Sequence, residues 1–74
     1  MLVIQIVPGW YLADEALDEV YDYRPGHEME MLIYDLPITS DLQLALKIDS
    51  AESPFIDDLR NNIATVQVVP LDNI

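Results

Sequence analysis

The sequence predicts an α+β domain of order β-α-β-β-α-β, a ferredoxin-like sandwich with two helices on one face of a four-stranded sheet. Three observations carry that expectation. Apolar, β-branched runs stand near both ends of the chain. Two segments repeat apolar residues at helical spacing. Two stretches between them alternate apolar and polar residues.

The first run, "LVIQIV" at residues 2–7, reads as a buried strand closed by Pro8-Gly9. From Leu12 the period changes. Leu12, Ala13, Ala16, Leu17, Val20 and Tyr21 fall on one helical face, with Asp14, Glu15, Asp18, Glu19 and Asp22 on the other. "RPG" at 24–26 stops that helix. "HEMEMLIYDLP" then begins with alternation, setting Met29, Met31 and Ile33 against Glu28, Glu30, Leu32 and Tyr34. "DLQLALKID" alternates again: Leu42, Leu44, Leu46 and Ile48 against Asp41, Gln43, Ala45, Lys47 and Asp49. Helix formers are common in it, but four period-2 steps favour a strand. Ser53 reads as the N-cap of a second helix with Pro54 at its first position and Asp57 and Asp58 in its first turn. Phe55, Ile56, Leu59 and Ile63 form its apolar stripe, and "ATVQVVP" returns to strand character. Right-handed crossovers would set the first and third strands side by side in the sheet centre.

Seventy-four residues make a single domain, residues 1–74, near the lower end of independent folding. No cysteine is present, so no disulfide framework supports it. With 51% apolar residues a compact core is expected rather than disorder. No run of about 18 apolar residues occurs, and "MLVIQIVPGW" lacks the basic start of a signal peptide. The expectation is a soluble cytoplasmic protein without membrane contact.

Charge is the most informative property. Fourteen acids against Arg24, Lys47 and Arg60 give a net charge of −11. Nucleic acid and anionic membranes repel such a chain, so a charged partner must be basic. The sequence favours a non-enzyme. Ser40, Ser50 and Ser53 stand outside any nucleophile elbow, both glycines follow prolines so no phosphate loop forms, and neither arginine sits in an anion cradle. His27, Glu28 and Glu30 are too few for a closed metal site, so no metal or cofactor is expected. Trp10 and Tyr11 read as core packing at the sheet end rather than as an exposed anchor.

Two surfaces remain. One is the sheet face opposite the helices, which would carry Val3, Gln5, Val7, Leu32, Tyr34, Ala45, Thr65, Gln67 and Val69, with Glu30 and Lys47 as its charges. That is apolar enough for a homodimer or subunit interface. The other is the acidic stripe, where Asp14–Asp18, Asp18–Asp22 and Glu15–Glu19 are like-charged neighbours without an interleaved cation. The expected partner-binding set is therefore Asp14, Glu15, Asp18, Glu19, Asp22, Leu32 and Tyr34. In type, the small size and acidic balance are similar to phage-encoded anti-restriction, anti-CRISPR and glycosylase-inhibitor proteins. No motif ties the chain to any one such family. The resulting expectation is an inhibitor or modulator, anti-defence or antitoxin-like, that occupies the nucleic-acid-binding surface of a basic protein. The alternative is an assembly module whose acids serve solubility.

Overall fold

The computed structural model describes residues 1–24 and 35–74. Within them the chain forms β1 (Leu2–Val7), β2 (Trp10–Leu12), a 3-10 turn (Asp14–Ala16), α1 (Leu17–Asp22), β3 (Ile38–Thr39), α2 (Pro54–Asn62), β4 (Gln67–Pro70) and a final 3-10 turn (Leu71–Asn73). The α+β class stands, with a four-stranded antiparallel sheet and two α-helices among the described residues. The order of the described strands is β3-β2-β1-β4, and every pairing is antiparallel. These strands therefore do not form the ferredoxin-like order with a parallel central pair.

Two local causes account for the difference. The first is the Pro8-Gly9 turn, which does more than end β1. It reverses the chain so that Val7 faces Trp10 and Gln5 faces Tyr11. Proline followed by glycine suits the central positions of a type II turn, and Gly9 has the positive φ of 82° that the second position needs. From Gln5 to Val7 β1 advances two residues against one step of β2, so Ile6 is the extra residue of a β-bulge. Just ahead of β4, the Thr65 hydroxyl donates to the Ile6 carbonyl at 2.6 Å and ties the chain to β1 past the last paired residues. Leu12, expected at a helix start, is thus a sheet residue together with Tyr11, and α1 begins only at Leu17.

The second cause lies at residues 42–48. The alternating segment is not a continuous strand. It touches the sheet at two isolated antiparallel bridges, Ala13–Ala45 and Leu2–Ile48, and turns through Leu42–Leu44 before them. Local side-chain bonds favour the turn over a ladder. The Asp41 amide donates to Thr39 Oγ1 at 3.0 Å, and the Gln43 amide donates to Asp41 Oδ1 at 2.9 Å. Lys47 Nζ closes it by donating to the carbonyls of Leu42 at 2.7 Å, Ala45 at 2.9 Å and Gln43 at 3.3 Å.

The core lies on both sides of the sheet. Ile4, Ile6 and Leu12 pack with Ala16, Tyr23, Leu46, Ile48, Phe55, Ile56, Leu59 and Val66 on one side. Val3, Tyr11 and Ala45 pack on the other, with half-buried Leu42, Val69 and Leu71 against them. The second cluster corrects the expectation of an open sheet face. Val3 and Ala45 are buried because the 42–45 turn and Leu71 cover them. In α2 the expected stripe is in place: Phe55, Ile56 and Leu59 are fully buried and Ile63 packs at the margin. Ser53 has the extended backbone of an N-cap but forms no side-chain cap bond, and its carbonyl accepts the Asp57 amide at 3.0 Å.

Candidate functional site

The acidic segment follows directly from β2. Ala13 is tied down by donating to the Pro37 carbonyl at 2.9 Å, and Asp14 by donating to Leu44 at 2.8 Å. The chain then makes one 3-10 turn and the six residues of α1. So short a helix gains little from its own hydrogen bonds. None of its six residues is fully buried. It is pinned at its two ends instead, by buried Ala16 before it and buried Tyr23 after it, with Val20 half-buried between.

Tyr23 is the stronger pin. Its ring meets Phe55 of α2 edge-on, with centroids 5.5 Å apart and planes at 84°. Its hydroxyl donates to the Asp58 carboxylate. That bond, with burial and the Asp58 charge adding to it, pushes the phenol up to about 12. Asp58 is also fixed from behind, because Asn62 Nδ2 donates to the Asp58 carbonyl at 2.8 Å.

The five expected acids, Asp14, Glu15, Asp18, Glu19 and Asp22, are all exposed. They share one continuous surface segment, with no lysine or arginine in residues 1–23. Asp18–Asp22 lies wholly within α1, while Asp14–Asp18 and Glu15–Glu19 straddle its junction with the 3-10 turn. Because α1 starts late, Asp18 and Glu19 occupy its first turn, where the helix dipole favours them. Asp22 stands at the unfavourable end. Leu32 and Tyr34, the other two expected binding residues, lie outside the described residues, as do His27, Glu28 and Glu30.

Three placements in the stripe's surroundings correct the sequence reading. Leu17 and Tyr21 are not core residues: they are 39% and 73% exposed, one turn apart on α1. Tyr23 takes the core position that the helical period assigned to Tyr21, because the short helix ends and the chain becomes extended there. Trp10 is 45% exposed at the hairpin end, while Tyr11 beside it is buried. The surface of α1 is therefore an acidic stripe bordered by an apolar pair. A late helix start was legible in the two-residue Pro-Gly turn, which commits the residues after it to pair with β1.

Beside Tyr21 a groove of about 460 Å³ separates α1 from the approach to α2. Val20, Tyr21 and Tyr23 line one side, and Ile48 to Ser50 and Glu52 to Pro54 the other, with Ile56 completing it. Two carboxylates, Asp49 and Glu52, are exposed there. The Glu52 amide donates to Ser50 Oγ at 3.1 Å, which fixes the bend in that wall.

Among the described residues no group of three or more His, Cys, Asp or Glu side chains is placed to hold a metal ion. No described helix is long and apolar enough to cross a membrane. Comparison with protein-family models, curated proteins and solved structures finds no match.

Proposed function

We propose that this protein is a small, non-enzymatic binding protein whose α1 surface occupies a basic, nucleic-acid-binding surface of a partner protein. The observation that carries this reading is the exposure of Asp14, Glu15, Asp18, Glu19 and Asp22 along one short segment, with no lysine or arginine in the first 23 residues. A helix selected for stability alone interleaves lysine or arginine at such positions. Carboxylates replace phosphates at the partner's Lys and Arg side chains, so the mechanism is competition for one surface. The net charge of −11 steers the encounter with a basic partner and weakens its effect as salt rises.

Leu17 and Tyr21 add to this reading. An exposed aromatic beside charged groups is a common composition for the energetic centre of an interface. The assembly-module alternative loses its main support, because the central part of the proposed sheet face is buried by the chain itself. The test is capture of partners on the immobilised protein from lysate, with and without added duplex DNA or RNA. The reading predicts basic nucleic-acid-binding proteins that nucleic acid displaces. Captured proteins that nucleic acid leaves in place would count against it.

A further inference from the structure

The geometry points to the groove between α1 and the start of α2 as a receptor for one arginine or lysine side chain of a basic partner segment. This deepens the proposed function and rests on its reading that the partner is basic. The lining has two parts. Val20 and Pro54 offer apolar surface backed by the buried Ile48 and Ile56, and Asp49 and Glu52 bring negative charge to the opposite wall. A long cationic side chain has the same two parts, an aliphatic stem and a charged head. Tyr21 lines the groove yet is 73% exposed, leaving its ring free to meet a cation.

Charge complementarity selects this occupant. Among the described residues no basic side chain lines the groove, and the molecule as a whole carries a charge of −11. An anionic ligand meets repulsion from Asp49, Glu52 and the acids of α1. A neutral apolar ligand leaves both carboxylates without a counter-charge. A guanidinium or ammonium head satisfies them through charge-assisted bonds while its stem covers the apolar wall.

The experiment titrates the 74-residue protein with an acetylated, amidated Gly-Arg-Gly-Arg-Gly peptide at low salt, read by amide chemical shifts and calorimetry. The control peptide carries neutral citrulline at both arginine positions. The expected result is shifts centred on Tyr21 and residues 48–52, and loss of binding with citrulline. Tyr21→Ala and the pair Asp49→Asn, Glu52→Gln should each weaken the peptide roughly tenfold. All three residues are exposed, so these variants keep the fold.

Shifts spread along Asp14 to Asp22, with Tyr21→Ala binding as wild type, would overturn the inference. So would equal binding of the citrulline peptide, or no binding at all. A partner held undiminished by the groove variants but lost on reversal of Asp14, Asp18 and Asp22 defeats the groove and leaves the stripe standing. Arginine peptide in the groove, with the partner unaffected by that reversal, defeats the stripe and supports the groove.

Discussion

The Tyr23 hydroxyl bonds to Asp58 and its ring packs on Phe55, so one side chain joins the end of α1 to α2 by a polar and an apolar contact. Its phenol is raised from 10.0 to about 12, chiefly by the Asp58 bond. A raised folded-state value favours the protonated form in the native protein. The stabilisation is therefore complete below about pH 10 and is lost as pH climbs toward 12. Tyr23→Phe keeps the ring contact but removes the bond and its titration. In urea unfolding, the variant should be less stable than wild type below pH 10, and the two should converge near pH 12. A constant gap across that range would show that the phenol is not the titrating link. Sequence alone assigned this role to no residue, because the helical period that favours Tyr21 cannot reveal where the helix stops.

At the level of elements, legibility followed locality. α2 was readable in its position and buried face, since Pro54, Asp57 and the Phe55–Ile56–Leu59 stripe specify the same helix, although Ser53 stands at the N-cap without a side-chain bond. The 42–48 segment was not. Its alternation matched a strand, but Thr39, Asp41 and Lys47 divert the backbone into a turn by bonding to it locally. Leu44 consequently stands exposed while Leu46 and Ile48 are buried. The acidic stripe was legible in position, and Leu17 and Tyr21 on its border were not. Within α1 the repulsion of Asp18 with Asp22 has a measurable consequence. Asp22→Lys converts the pair to an attractive one and sets a cation at the helix end that favours it, so it should raise stability by about 0.5–1 kcal/mol in urea unfolding. A loss of stability would mean that Asp22 makes a structural contact that its exposure does not suggest.

Across the whole molecule, a charge of −11 on 74 residues opposes compaction, and no disulfide offsets it. Raising NaCl from about 0.05 to 0.5 M shortens the screening length severalfold, so the urea midpoint should rise with salt. A midpoint that stays flat or falls would indicate that attractive pairs dominate the surface. The same salt should weaken partner binding, so folding and binding respond to screening with opposite signs. Net charge and local stripe can then be separated by moving an equal change in charge to different places. Asp14, Asp18 and Asp22 reversed to lysine alter the stripe. Asp35, Asp57 and Asp72, also exposed, reversed to lysine alter the net charge equally and leave the stripe intact. The decisive measurement is the Kd of both triple variants for a captured basic partner at one fixed salt concentration. The stripe reversal should abolish binding while the control reversal weakens it only modestly; equal losses in the two variants would contradict a binding surface on α1.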